Sequence, residues 1–134
     1  MTSFLSDPVV ITANPEQLFA FLGNMNNFRY IMPEQIEDWQ SDEESCSFFI
    51  KNLGKLGMKK PAFIEPDRMQ FSSSEASKVK FNLVFHATNL GSDNLEISFE
   101  ILSEMNSFVE MMAKRPLTNF VNILTTNLKH FLNG

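Results

Sequence analysis

Two histidines, one cysteine and a group of carboxylates are the residues of this chain whose side chains could perform acid, base, nucleophilic or metal chemistry. The histidines are His86 and His130, and the cysteine is Cys46. No HExxH or CxxC spacing is present, so the sequence does not favour a dedicated zinc site. The lone cysteine excludes a disulfide framework within the chain. We predict that the protein has no metal site and no cofactor.

Neither histidine is placed where a catalytic base would be expected. His86 alternates with Phe81, Leu83 and Phe85 along a predicted strand, so it belongs to the opposite, solvent-facing side. His130 lies near the end of the sequence, where an imidazole in the last turn of a helix interacts favourably with the helix dipole. We therefore predict no catalytic residue.

The carboxylates between residues 37 and 44 surround a predicted hairpin turn, Ser41-Asp42-Glu43-Glu44. Paired carboxylates can act as acid and base, but a turn is a solvated place for them. Four lysines follow between residues 51 and 60. They can pair with the acidic residues on neighbouring strands, or contact an anionic headgroup at a membrane surface.

Composition sets the class of protein. The chain has 134 residues, with 11 Lys and Arg against 16 Asp and Glu and a formal net charge of −5. This length predicts one domain, residues 1–134, and the 43% of apolar residues are enough for a folded core. The acidic balance leaves no basic surface for a phosphate backbone, so we expect no nucleic-acid partner.

Phenylalanine is the unusual component, with 14 residues against one Trp and one Tyr. Its side chain is large and has no polar group. So many phenylalanines indicate either a well-filled core or a core with an apolar cavity, and composition leaves both open.

Residues 1–7 have no basic segment followed by an apolar one, so they do not resemble a signal peptide. No apolar run is long enough to cross a bilayer, and we expect no stable membrane insertion. The expected location is the cytoplasm.

Helix signals come first along the chain. Asn14 can cap a helix that has Pro15 at its first position and Gln17 at the capping-box position. Gly23 is predicted to end this helix in a left-handed conformation. A second short helix is predicted around residues 28–32, ending at Pro33, and residues 9–11 form the end of an opening strand.

Strand-length segments fill residues 36 to 104. A hairpin is predicted from 36–40 and 45–50, followed by a break at Asn52, Gly54 and Gly57 and by strands at 58–64 and 69–73. Residues 79–88 and 95–101 alternate apolar and polar side chains, which is typical of antiparallel strands with one buried face. Trp39 breaks the alternation set by Ile36, which indicates a bulge or an outward aromatic ring.

The end of the chain is predicted to be helical. Ser107 and Glu110 have capping-box spacing, and Pro116 either kinks this helix or begins a longer one. The longer segment has one apolar stripe that must be buried against the sheet. Its members are Leu117, Phe120, Val121, Leu124, Leu128 and Phe131.

This order of elements resembles the helix-grip fold of the START-like, or SRPBCC, superfamily. The resemblance rests on residues 9–22, 26–33 and 105–117, which match the opening strand and capped helix, the second helix with its terminal proline, and the segment before the final helix. It implies an α+β domain with a curved antiparallel sheet of about six to seven strands around a long C-terminal helix, and two short helices after the first strand.

The resemblance also implies a cavity between sheet and helix for a hydrophobic or amphipathic small molecule, such as a lipid, a quinone or a polyketide-like compound. Arg29 is a candidate for the anionic end of such a ligand. The lining candidates on the strands and last helix are Phe71, Phe81, Phe85, Phe99, Phe120 and Leu124.

Three interpretations stay open. The lining residues can equally be a filled core, because protein interiors are close-packed. A cyclase or dehydratase of this superfamily would need an ionisable side chain pointing inward from residues 79–88 or 95–102. A protein-interaction module would show an exposed apolar patch around Trp39 or Met111. The sequence does not determine the oligomeric state.

Overall fold

The computed structural model describes residues 2–61 and 64–133. The elements are, in chain order, β1 (Thr2–Leu5), β2 (Val9–Thr12), α1 (Pro15–Gly23), a 3-10 helix (Met25–Tyr30), β3 (Glu37–Ser41), β4 (Ser45–Ile50), β5 (Gly54–Lys59), β6 (Ile64–Glu65), β7 (Arg68–Ser73), β8 (Asn82–Gly91), β9 (Asn94–Ser103) and α2 (Ser107–Asn133). This arrangement confirms the predicted α+β helix-grip fold, with a curved antiparallel sheet and a long C-terminal helix.

The strands form one sheet in the order β1-β9-β8-β7-β5-β4-β3, with β2 also paired to β9 and β6 paired to β7. Every pairing is antiparallel. The described residues thus contain nine strands, against the six to seven predicted. The difference arises because the opening strand is two strands, and because β6 is separate from β5. The predicted strand 58–64 includes residues 62 and 63, which lie outside the described residues.

A local irregularity divides the opening strand. β1 pairs with β9 from Leu5 opposite Glu100, and β2 pairs with it from Val9 opposite Ile97. Three residues, 6–8, therefore stand opposite two, 98–99, so the ladder is interrupted as in a bulge. The backbone N–H of Ser6 still donates to the carbonyl of Phe99 at 2.9 Å, which keeps both strands on the same edge of β9.

The first helix begins as predicted but ends differently. The Asn14 side chain accepts a hydrogen bond from the N–H of Gln17 at 3.1 Å, and Pro15 is the first helical residue. Gly23 ends the helix, but it does not have the predicted positive φ. Asn24 is instead extended, and its side chain accepts from the N–H of Asn26 at 3.1 Å. Since Asn24 caps the 3-10 helix that begins at the next residue, no left-handed turn is needed.

Gly54 and Gly57 do not break the chain as predicted, because both lie within β5. A side chain at Gly57 would collide with the hydroxyl of Ser74, so glycine lets this strand pass close to its neighbour. Gly54 has a φ of +97° and leads the chain out of the β4–β5 turn. In this strand the glycines allow close approach and a turn rather than ending the element.

The final helix is a single element that passes through Pro116. Its cap lies one residue before the predicted one: the Asn106 side chain accepts from the N–H of Val109 at 2.9 Å. The missing N–H of Pro116 leaves the Met112 carbonyl without its usual helical partner. Met112 is exposed, so water can hydrogen-bond to this carbonyl.

Candidate ligand-binding cleft

Three of the predicted lining residues form a closed aromatic cluster. Phe71, Phe85 and Phe99 have no solvent exposure. The rings of Phe85 and Phe99 have centroids 5.0 Å apart, and the ring of Phe28 meets that of Phe71 edge-on at 5.2 Å. Phe19 adds an edge contact to Phe85 at 6.1 Å. These are ordinary packing distances for aromatic pairs, so the rings fill this part of the interior themselves.

Two other predicted lining residues border a small enclosed cavity. It has a volume of about 20 Å³, and its wall is apolar. That volume is close to the minimum for one water molecule, and an apolar cavity of this kind stays dry. The lining residues are Phe48, Leu53, Leu56, Val79, Phe81, Ile101, Met105, Val109, Ala113, Leu117 and Phe120. A small molecule can occupy this space only if the helix or the sheet moves.

The remaining two predicted site residues lie apart from this cavity. Leu124 is fully buried on the inner face of α2. Arg29 is exposed on the 3-10 helix, with its guanidinium 5.5 Å from the centroid of the Tyr30 ring. This is a cation–π geometry that orients the side chain over its neighbour. The ligand-binding role of both residues stays a prediction.

A larger space opens beside α2. It is a cleft of about 550 Å³ between this helix, the end of β4 and the segment before β3. It exists because α2 packs mainly on β1, β2 and β9, while β4 lies toward the opposite edge of the sheet. Its lining residues are Pro33, Gln35, Ile36, Ile50, Lys51, Asn52, Met112, Arg115, Pro116, Asn119, Phe120 and Ile123. The volume lies within the usual range for small-molecule sites.

This cleft, which we call the β4–α2 cleft, has an apolar wall and a cationic rim. Ile36, Ile50 and Ile123 are half-buried, whereas Lys51 and Arg115 are exposed. Among the described residues that line it, these two are the charged ones, and neither is acidic. The arrangement suits a molecule with an apolar body and an anionic end.

Phe120 lines both the β4–α2 cleft and the enclosed cavity. Its ring stacks on that of Phe48 with centroids 5.5 Å apart, and Phe48 stacks in turn on Trp39 at 6.1 Å. Trp39 reaches this stack because β3 has a register irregularity between Glu37 and Gln40, where the sequence predicted a bulge or an outward ring. Phe120 is therefore the partition between the open cleft and the interior.

Of the residues that line this cleft, Phe120 was predicted to bind a ligand and the others were not. A second helical stripe runs beside the buried one, with Met112, Arg115, Asn119 and Ile123 at spacings of three to four residues. That spacing is visible in the sequence. The strand and loop residues that face it come from other parts of the chain, and no local pattern connects them.

A second cleft of about 600 Å³ adjoins the first and shares Gln35 and Ile123 with it. Glu34 and His130 both line it, so a carboxylic acid and an imidazole border the same space. No hydrogen bond or ion pair joins these two side chains. The other lining residues are Tyr30, Met32, Asn127 and Phe131.

His86 lies on the outer face of the sheet, as predicted. Its Nε2 is 2.9 Å from Oε1 of Glu100, whose other oxygen is hydrogen-bonded to the Ser3 hydroxyl. Burial alone would raise the pKa of the Glu100 carboxyl, but the hydrogen bonds from Ser3 and His86 and the charges of His86 and Arg68 outweigh it and lower this pKa. The pair links β8 and β9 and is remote from the β4–α2 cleft.

The other reactive side chains have structural surroundings. Cys46 is buried, and burial together with the charge of Asp42 raises the pKa of its thiol to about 12. Hydrogen bonds from the backbone N–H groups of Glu44 and Ser45 lower the pKa of Asp42 at the hairpin turn. Lys60 pairs with Glu44 at 3.6 Å. Residues 2–61 and 64–133 contain no cluster of three or more side chains able to hold a metal.

Comparisons with solved structures agree with this architecture. A START superfamily protein from Mycobacterium smegmatis aligns over 97% of this chain and 96% of its own, with a TM-score of 0.64 and 12% identity. The chain has the START-like fold. XoxI from Bacillus cereus aligns over 98% of this chain and 96% of its own, with a TM-score of 0.72 and 10% identity.

The Aha1 dimer from Colwellia psychrerythraea is also similar in structure to this chain. It aligns over 98% of this chain and 96% of its own, with a TM-score of 0.62 and 14% identity. Neither protein-family models nor curated proteins match the sequence. None of the described helices has an apolar stretch of the length that a bilayer crossing requires.

Proposed function

We propose that this protein binds an amphipathic small molecule in the β4–α2 cleft, as a single-domain carrier in the cytoplasm. The observation that supports the proposal most directly is the composition of the cleft: an apolar wall beside two cations in a space of about 550 Å³. Ligand sites in proteins are commonly concave, mostly apolar and provided with a few polar groups that orient the ligand.

The apolar part of the ligand lies against Ile36, Ile50 and Ile123, with Phe120 at the base. Burial of apolar surface supplies most of the affinity and discriminates weakly between ligands of similar shape. This wall therefore suits a class of molecules, such as lipids, quinones or polyketide-like compounds, rather than one shape.

The anionic end of the ligand lies at Lys51 and Arg115. A guanidinium binds a carboxylate or phosphate through two parallel hydrogen bonds, and an ammonium adds a mobile positive charge. Both side chains are exposed, so their contribution to affinity weakens as salt concentration rises.

The inward positions of β8 and β9 do not favour the alternative of a cyclase or dehydratase. Apart from Ser103 at the end of β9, which is not an acid or a base, they are occupied by apolar side chains: Leu83, Phe85, Ala87, Leu95, Ile97, Phe99 and Ile101. An enzyme of that kind needs an inward acid or base on these strands. We therefore propose binding without catalysis.

Titration with a fluorescent long-chain carboxylate and with its methyl ester tests this proposal. We expect the wild-type protein to bind the carboxylate, and the double variant Lys51→Gln, Arg115→Gln to lose at least tenfold in affinity for it while binding the ester as the wild type does. Lys129→Gln, an exposed change on the same helix, should leave both affinities unchanged.

A variant that places a carboxylate in the apolar wall, Ile50→Asp, should abolish binding of both probes. Circular dichroism and thermal unfolding would establish that each variant is folded. Absence of carboxylate binding by the wild type, or equal carboxylate affinity in the wild type and the double cation variant, would show that the proposed site is wrong.

A further inference from the structure

The first two turns of α2 expose large apolar side chains. Phe108 is 71% exposed, Met111 77% and Met112 52%. They lie at positions i, i+3 and i+4, so they form one patch on the side of the helix that faces away from the sheet. Farther along the same side the residues are polar: Asn119, Asn122, Thr126 and Lys129. The apolar patch is thus confined to one end of the helix.

Cations surround this patch. Arg115 continues the stripe of Phe108, Met111 and Met112, and Lys114 is its neighbour. Lys51, in the turn after β4, lines the β4–α2 cleft together with Met112 and Arg115, so it reaches the same surface. We call Phe108, Met111, Met112, Lys51, Lys114 and Arg115 the α2 docking surface.

The nearby acidic residues lie at or beyond the edges of this surface. Glu110 is about 160° around the helix from Phe108, and it is four residues before Lys114, so these two opposite charges are neighbours on one flank of the helix. Glu37 is in register with Phe49, and Phe49 with Lys55, all on the outer face of the sheet. Glu104 precedes the helix, in the segment between β9 and α2. The docking surface itself combines apolar and cationic side chains.

A lipid surface fits this combination better than a second copy of the chain. The three apolar side chains expose roughly 400 Å², about half of the ~800 Å² per partner that a stable protein interface buries. In a dimer the cations of two copies would also face each other across a two-fold axis. An anionic bilayer accepts apolar side chains between its headgroups and attracts the surrounding cations.

We propose that the α2 docking surface binds peripherally to anionic lipid bilayers. Phe108 and Met111 enter the headgroup region, while Lys51, Lys114 and Arg115 contact the lipid phosphates. Because Met112 and Arg115 belong both to this surface and to the β4–α2 cleft, docking places the opening of the cleft at the membrane. The inference does not require the proposed ligand, but it shares Lys51 and Arg115 with the site proposed for the ligand's anionic end.

Vesicle co-sedimentation without added ligand tests the proposal. We expect the wild-type protein to sediment with vesicles of equal parts phosphatidylcholine and phosphatidylglycerol, and at least tenfold less with phosphatidylcholine alone or at high salt. The double variant Phe108→Ser, Met111→Ser should lose at least tenfold in binding. Leu90→Ser, a matched change at a 51% exposed leucine in the β8–β9 hairpin, should bind as the wild type does.

Neither serine substitution touches a residue that lines the β4–α2 cleft, so the double variant should retain the affinity for the carboxylate probe. Binding that does not depend on lipid charge, or equal binding by the wild type and the double variant, would overturn the proposal. So would a loss of self-association in the double variant, measured by light scattering, with vesicle binding unchanged. That result would assign the surface to a second copy of the chain.

Discussion

The hydroxyl groups of Ser6 and Thr125 are hydrogen-bonded at 2.9 Å, which joins the irregularity between the first two strands to the middle of the last helix. Both residues are buried. Ser6 Oγ also accepts from the N–H of Phe99 at 2.9 Å, and the Thr125 hydroxyl lies 2.8 Å from the Val121 carbonyl. This network links β9, the opening strands and α2 at one point.

We predict that Thr125→Val destabilises the protein by about 1–3 kcal/mol. The change keeps the shape of the side chain, but it removes the Thr125 hydroxyl and so leaves the buried Ser6 hydroxyl without this hydrogen-bond partner. Urea unfolding measures the effect. Thr126→Val, at the exposed neighbouring position, should change the free energy of unfolding by less than about 0.5 kcal/mol. The double variant with Ser6→Ala should show a non-additive loss, and additive losses would mean that the two hydroxyls are not coupled.

Phe120→Ala should connect the β4–α2 cleft to the enclosed cavity, because this ring separates the two. We expect a loss of about 3–5 kcal/mol in stability and a shift of preference toward carboxylate probes with longer chains. Leu128→Ala, a buried change on the same helix but away from the cleft, should also cost about 2–5 kcal/mol without altering chain-length preference. An unchanged preference in Phe120→Ala would contradict the role of Phe120 as a partition.

Cys46 should be inert in the folded protein. Its pKa is raised to about 12, so the thiolate that reacts with disulfide reagents is nearly absent at neutral pH, and the residue is buried. We expect an aromatic disulfide reagent to modify native protein only as fast as the protein opens, and to modify unfolded protein at once. Rapid stoichiometric modification under native conditions would contradict the packing of β4 against β5.

Glu100 should make stability depend on acidity. Its pKa is lower in the folded protein than the ordinary value of about 4.3, so the ionised form favours folding. This stabilisation is fully present at neutral pH and is lost as the pH falls from about 4.3 through the lowered folded pKa. Glu100→Gln should therefore lose stability at neutral pH and show a shallower decline in acid. Unfolding curves measured from neutral pH to pH 3 test this, and parallel profiles for the two proteins would refute it.

Local patterns explain which elements were predicted correctly. Alternation of apolar and polar residues identified β8 and β9, since the side chains of a strand point to alternate faces. The Asn14 cap and the buried stripe of α2 from Leu117 to Leu128 also depend only on residues within a few positions of each other. Phe131, the last predicted member of that stripe, is instead 47% exposed near the end of the helix. The prediction of a break at Gly54 and Gly57 is wrong because glycine marks a turn in most local contexts, whereas here Ser74, in the segment just after β7, occupies the space beside Gly57.

The sequence by itself determined the order of the helices and of the longer strands and most of the buried face of each long element, because these follow from side-chain periodicity and capping. Only the tertiary structure decided where the interior is filled and where it is open. Phe71, Phe85 and Phe99 fill the centre through contacts between aromatic rings. Side-chain periodicity does not specify how closely such rings pack. The β4–α2 cleft forms from residues around 33–36, 50–52 and 112–123, which become neighbours only through the curvature of the sheet and the position of α2 across it.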